Sequence, residues 1–506
     1  MLKHLLQAIF FIPVMLIAGG YEIKLSTVMD KPGVEFLGYK NDSWYAIGFE
    51  KPGNLNKPPR YTLYKYALAF KSGKASVLYP SFGEKTFYLQ SGFNGNKISM
   101  YYAVCDRRSD EEWMMENRDS RKQLPVIMRQ NFDANTLEPD TGGAQLIFDE
   151  KDEYFTCSGI LLAHSPDGSK SAVLIKPYYK QQRFKLLIAD AKSGTSIAKT
   201  YDFKEQKEYL QFLQMQINND GQVYITARVR DDVISLAPTT KNKPQNTYYI
   251  FSADANTPLA EPYKIASPNS GLFYANPLST LSQNGELVLA FDSYTDELRT
   301  LYRSTAMYRV DAKLNLMAKT QLSPSADVTA QCQTSNGSKK GKEFYKFKTQ
   351  QIVNCGKGYG VLVEYADTTA AQKTIPAVVI SGNMLVFQTD DNMQQKANWL
   401  ILKKQQSATV QYAFSARIMI KNNELNLLYN ADWEADEEHF MNLMHTRLPA
   451  DGSAAVTTKV VRTSDDFFIN FSSVWTNGNR IAFRQEKLVD FEDVGKEIRF
   501  LEITLK

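Results

Sequence analysis

One local pattern recurs along this chain: an aromatic-led apolar run, a reversal built from Asn, Asp or Gly, and a second apolar run. The reversals stand at Asn41-Asp42, Asn94-Gly95, Asp167-Gly168, Asp220-Gly221, Asn284-Gly285, Gly356-Lys357, Asn422-Asn423 and Asn477-Gly478. These residue types tolerate the positive backbone angles of a tight hairpin. Their mean spacing, roughly 62 residues, is too long for one hairpin and suits a unit of four short strands. Such a unit written eight times predicts an all-β fold, an eight-bladed β-propeller. Seven blades is the alternative if the weak repeat at Gly356 is an elaborated hairpin.

The clearest repeat shows the unit in full. An apolar run over 155–163 meets Ser165-Pro166-Asp167-Gly168-Ser169-Lys170, and strands are expected over 171–175, 185–189 and 197–201. This repeat resembles the TolB-type, WD40-like propeller repeat, whose recurring element is a Ser-Pro-Asp-Gly turn followed by an apolar strand. The match is good over 165–175 and degenerate at 218–222 and 282–286. The Gly-His and Trp-Asp pairs of the WD40 repeat proper are missing, and after residue 20 the Gly-Gly doublet of a kelch repeat occurs only at Gly142-Gly143. The resemblance implies an exported propeller and no particular activity.

Both ends of the chain bear on that architecture. Residues 1–20 have a basic start, an apolar middle and small residues at the end, which reads as a cleaved secretory signal; an uncleaved anchor is the alternative. No Cys follows the apolar stretch, so a bacterial lipid-attachment site is absent. No later stretch has the length of apolar sequence that a transmembrane helix needs. A periplasmic or secreted location follows. The last repeat, from Phe467, supplies three strands, and the alternating segment 21–28 is available as the fourth. Pairing the two would close the ring and remove its open edges. Residues 21–506 are thus expected to form one domain, with insertions near 106–124 and 324–344.

Charge excludes one class of partner. The 59 Lys and Arg and 55 Asp and Glu are interleaved along the chain, whereas a nucleic-acid binder concentrates basic residues in a stripe. The four cysteines, Cys105, Cys157, Cys332 and Cys355, are disulfide candidates in an exported chain. Sequence neighbours are the preferred pairs, with a Cys332–Cys355 bridge tying down the polar insertion between them. Four buried thiols are the other reading.

No reactive constellation stands out. Gly-x-Ser-x-Gly is absent, so a serine hydrolase elbow is not expected. The acidic run from Asp432 to Glu438 lacks the central Gly of a helix-loop calcium site and reads as a solvated loop. His439 and His445 share a strand face but lie about 20 Å apart on an extended strand, too far for one metal. Neither a metal nor a cofactor is expected.

Long connections between the second and third strands of each unit are expected at 50–60, 106–124, 230–246, 292–298, 430–438 and 486–497. They would emerge on one face of the ring, where a loop-bearing scaffold places its binding site. The aromatic binding candidates there are Trp113, Tyr178, Tyr179, Trp433 and Phe491. The expected role is non-catalytic binding or scaffolding of a protein or glycan. The alternative is a carbohydrate-active hydrolase or lyase whose carboxylates gather on that face.

Overall fold

Every one of these reversals falls between the first and second strand of a sheet. The structure, a computed structural model, describes residues 21–25, 29–30, 34–50, 60–67, 73–78, 86–105, 125–149, 160–176, 183–190, 195–202, 209–230, 247–257, 259, 261–267, 271–296, 298–334, 344–368, 379–403, 405–407, 416–421, 424–433, 440–462, 467–477, 480–487 and 497–505. Asn422, Asn423 and Gly478 lie outside them, although the strands on either side of each reversal are paired.

Among the described residues the strands form eight antiparallel sheets. After β1 (Tyr21–Leu25) and β2 (Met29–Asp30), the first sheet holds β3 (Val34–Lys40), β4 (Ser43–Glu50), β5 (Arg60–Ala67) and β6 (Gly73–Leu78). The second holds β7 (Thr86–Asn94), β8 (Lys97–Cys105), β9 (Pro125–Asp133) and β10 (Gln145–Asp149); the third, β11 (Leu161–His164), β12 (Lys170–Ile175), β13 (Arg183–Asp190) and β14 (Ser196–Asp202). Next come β15 (Tyr209–Ile217), β16 (Val223–Arg230), β17 (Thr247–Ala253) and β18 (Tyr263–Ala266), then β19 (Phe273–Leu281), β20 (Leu287–Tyr294), β21 (Tyr302–Val310) and β22 (Leu316–Leu322). The sixth sheet has β23 (Phe347–Asn354), β24 (Tyr359–Thr368), β25 (Val379–Thr389) and β26 (Gln395–Ile401), with β27 (Gln405–Ser407) also on β25. In the seventh are β28 (Ala416–Lys421), β29 (Glu424–Trp433), β30 (Phe440–Leu448) and β31 (Val456–Arg462). The last contains β32 (Phe467–Asn477), β33 (Arg480–Lys487) and β34 (Glu497–Leu505), and here β1 pairs with β34 from Tyr21↔Leu505 to Leu25↔Leu501. β2 pairs further along the same strand.

The sheets are packed as an all-β propeller. First strands touch in cyclic order, β3 to β7, β11, β15, β19, β23, β28 and β32, and β32 returns to β3. Strand alternation then sends successive side chains into opposite inter-sheet gaps. In β24, Val361 and Val363 join the fifth sheet's core, whereas Leu362 joins the seventh's. Each gap holds its own apolar cluster, including the one between the first and last sheets, where Trp44, Ala46, Tyr64 and Tyr66 meet Ala482 and Phe500. With about 1.5–3 kcal/mol for each large apolar side chain removed from water, these gaps rather than the strand pairings hold the sheets to one another.

A helix missing from the sequence reading, α1 (Ala326–Thr334), occupies the 324–344 insertion. Ser325 caps it: its carbonyl accepts from Thr329 N at 2.9 Å, and its own N–H donates to Asn398 Oδ1 at 3.0 Å. Val328 and Cys332 of α1 are buried in the core between the fifth and sixth sheets.

The preferred Cys332–Cys355 bridge is not formed. Both residues are buried thiols, but Cys332 belongs to the cluster between the fifth and sixth sheets and Cys355 to the one between the sixth and seventh. The sixth sheet lies between them, beyond disulfide reach. Cys157 and the side chain of Cys105 lie outside the described residues.

Candidate functional site

Tight turns of neighbouring sheets interlock, which identifies one end of the ring. Asn218 Nδ2 and Tyr224 OH both donate to Gly285 O at 3.2 Å, Asn354 Nδ2 donates to Leu281 O at 3.0 Å, and Asp167 N donates to Asn219 Oδ1 at 3.1 Å. Gly285 is required at its position: its φ is +75°, and a Cβ there would meet Asn218 Nδ2 at 2.8 Å. The Ser-Pro-Asp-Gly turn is closed from within, with Asp167 Oδ1 accepting from Ser165 Oγ, Ser169 N and Ser169 Oγ at 2.7–2.9 Å. This end is consumed by contacts between sheets. The connections from second to third strands therefore emerge at the opposite end, which is the candidate site.

Several first strands, β3, β7, β15, β19, β23 and β32, slip register against their second strands. Such bulges increase local twist and re-aim side chains. Polar residues at or beside the slips tie adjacent sheets together around the axis. Gln216 Nε2 donates to Ser279 Oγ at 3.1 Å, Ser279 Oγ donates to Gln214 Oε1 at 2.7 Å, and Gln214 Nε2 donates to Pro277 O. Gln351 clamps the backbone of Ile418, accepting from its N–H at 2.8 Å and donating to its carbonyl at 3.2 Å.

Titratable groups gather toward the candidate end. Asp292 is completely buried in β20. Its carboxylate accepts from Thr349 N at 3.0 Å, Asn276 Nδ2 at 2.7 Å, Tyr294 OH at 3.1 Å and Thr349 Oγ1. Burial, opposed by these donors, raises its pKa to about 6. Asp296 organises the following loop by accepting from Thr300 N at 2.9 Å, Leu301 N at 2.6 Å and Thr300 Oγ1 at 2.6 Å. Two further carboxylates meet cations: Glu364 Oε1 lies 2.8 Å from Lys403 Nζ, and Asp367 pairs with Lys346. Arg228 Nη2 donates to the neutral Gln211 Oε1 at 2.6 Å. Arg417, second in β28, and Lys176, directly after β12, both have their pKa lowered by burial.

Of the expected aromatic anchors, Trp433 alone falls among the described residues. Trp113, Tyr178, Tyr179 and Phe491 lie outside the described residues. Trp433 ends β29 opposite Phe440, so it is a strand residue and not part of the loop expected over 430–438. Likewise β20 continues through Tyr294, and the connection expected at 292–298 begins three residues later. Asp292 and Asn430 carry polar side chains that suggested loops, yet both are fully buried in strands.

The histidines are structural in geometry. His164 Nδ1 lies 2.8 Å from Ser171 Oγ, its ring packs on Tyr101 at 5.5 Å, and a Cβ at Gly92 would meet it at 3.2 Å. His445 Nε2 lies 2.8 Å from Asn426 Oδ1. Burial lowers both pKa values to about 4, so both rings are neutral at pH 7. His439 and residues 434–438 lie outside the described residues. Among the described residues, no group of three His, Cys, Asp or Glu is placed to hold a metal, and no helix is long and apolar enough to cross a membrane.

No family model and no curated protein matches this chain. Solved structures similar to it include the Dos1 propeller, at 10% identity and a TM-score of 0.46, covering 95% of this chain and 94% of that one. An oligogalacturonate lyase in complex with manganese matches at 11% identity and TM-score 0.35, over 83% and 96% of the two chains. The WD40 domain of SCAP from fission yeast matches at 9% identity and TM-score 0.37, over 98% and 97%. Likeness at this level assigns no activity.

Proposed function

We propose that this chain is an exported, non-catalytic binding or scaffolding propeller that recognises a protein or glycan through the end opposite its tight turns. In this reading residues 1–20 are removed, and residues 21–506 form one eight-bladed ring that β1 locks shut through β34, in the periplasm or outside the cell. The observation that carries it is the occupation of four described carboxylates at the candidate end. Asp292 and Asp296 face their own hydrogen-bond donors, and Glu364 and Asp367 face lysines. Carboxylates engaged in this way are structural, whereas acid–base chemistry needs a pair held open to substrate.

A carbohydrate-active hydrolase or lyase is the second reading. The raised pKa of Asp292 favours it, since perturbed carboxyls cluster at catalytic sites. Complete burial weighs against it, because a proton donor must reach the bond it cleaves. The test is a screen of the secreted mature chain against glycans and envelope proteins, with each retained glycan also assayed for new reducing ends and unsaturated uronates. Saturable binding without product supports the first reading. Multiple turnovers abolished by Asp292→Asn would replace it with the second, and N-terminal sequencing that begins at Met1 would remove export by cleavage.

A further inference from the structure

We infer that the mouth of the ring opposite the tight turns receives a carboxylate-bearing glycan, with Arg417 as anchor and Lys176 and Arg228 as further cationic contacts. This rests on the binding reading above and names its ligand class. Asp292, Asp296, Glu364 and Asp367, together with Asp202, which lies 3.2 Å from Arg183, have their charges answered from within the protein. Three cations are not balanced in the same way among the described residues. Arg417 and Lys176 have no hydrogen bond or ion pair among the described residues, and the partner of Arg228 is a neutral amide.

Placement supports the role. The backbone beside Arg417 is fixed by the Gln351 clamp on Ile418. Ala416 and Ile418 face the sixth sheet, so alternation turns Arg417 with Met419 toward the eighth. Arg228 and Arg299 both act electrostatically on the buried Tyr248 hydroxyl, so cations from adjacent sheets stand close together. A partly buried cation without a counter-charge is unfavourable, and an arriving carboxylate relieves that while gaining charge-assisted, fork-shaped hydrogen bonds.

A glycan fits better than an acidic protein. Protein interfaces are built on a desolvated apolar centre, but among the described large apolar side chains that are exposed, Leu146, Ile197, Leu316, Met317 and Val456 lie on outer strands. Two more lie outside the strands, Leu298, 84% exposed, in its loop, and Leu402, 63% exposed, directly after β26.

The test is calorimetric titration of the full mature chain with a short alginate oligosaccharide and with the same sugar after carboxyl reduction. The expected result is binding of alginate that weakens as salt is raised, with at least about tenfold weaker binding of the reduced sugar. Arg417→Gln should weaken alginate binding about tenfold while leaving the urea midpoint unchanged or higher, since an unbalanced cation is removed. Equal binding of both sugars, untouched by Arg417→Gln, overturns this inference and leaves the glycan-binding reading standing. Tighter binding of polyglutamate than of alginate overturns the glycan assignment. Failure to bind either sugar overturns the inference, and only failure of the broader glycan and protein screen removes the reading beneath it.

Discussion

The Lys403–Glu364 pair offers the most direct test of how the sixth sheet is stabilised. Lys403 Nζ and Glu364 Oε1 are 2.8 Å apart, with side-chain exposures of 0% and 4%. Lys403 lies just past β26, its N–H donating to Asn383 Oδ1 at 3.2 Å, and so joins the outer part of the sheet to β24. At an effective dielectric of about 20, charges this close attract by about 6 kcal/mol. Desolvating two ions costs several kcal/mol each, so the pair is close to neutral against an apolar pair of similar volume. Removing one partner differs, because the other charge stays buried after losing the counter-ion it faces in this pair. Lys403→Met is therefore expected to destabilise by about 3–5 kcal/mol, and Glu364→Leu by a similar amount. The double variant should cost less than either single change. Equilibrium urea unfolding at pH 7, followed by tryptophan fluorescence, measures all three. Single variants costing under about 1 kcal/mol, or a double variant equal to the sum of the singles, would refute the buried-pair argument.

Further outcomes follow from other sites. Asp292 has a pKa raised from 3.8 to about 6, so the folded state holds its proton longer than the unfolded chain. Its contribution to stability is present below pH 3.8 and is lost as pH rises through about 6. Asp292→Asn should remove that segment from a plot of urea midpoint against pH. The histidines act in the opposite sense: with folded pKa values of about 4 against 6.5, their stabilising effect is present above pH 6.5 and is lost as pH falls through about 4. Imidazole NMR shifts of His164 and His445 should accordingly stay flat from pH 8 down to 5. Gly285→Ala, which forces a side chain into positive φ and against Asn218, should lower stability by about 1–3 kcal/mol in the same urea assay. Alkylation of the denatured chain without reductant should label both Cys332 and Cys355; an intact peptide link between them in the mass spectrum would contradict their separation by the sixth sheet.

Hairpin reversals were legible in the amino-acid sequence because they depend on local backbone chemistry. Asp167-Gly168 and Asn284-Gly285 need positive angles whatever the surroundings, and the alternation of strands such as β24 follows from the same two-residue period. The unpaired edge left by three strands after Phe467 likewise pointed to residues 21–28 as its partner, and of these 21–25 pair with β34. Interior polar residues were not legible. Asp292 and Asn430 look like loop residues until donors on Thr349, Asn276 and Tyr294, or burial in β29, show otherwise. α1 carried only a weak signal, Ser325 ahead of Ala326-Asp327, because its apolar positions, Val328 and Cys332, matter only once the core between two sheets exists to receive them. Which inter-sheet gap receives Cys332 and which receives Cys355 was decided only in three dimensions. Residues far apart along the chain meet across inter-sheet gaps, and no short-range pattern encodes who stands on the other side.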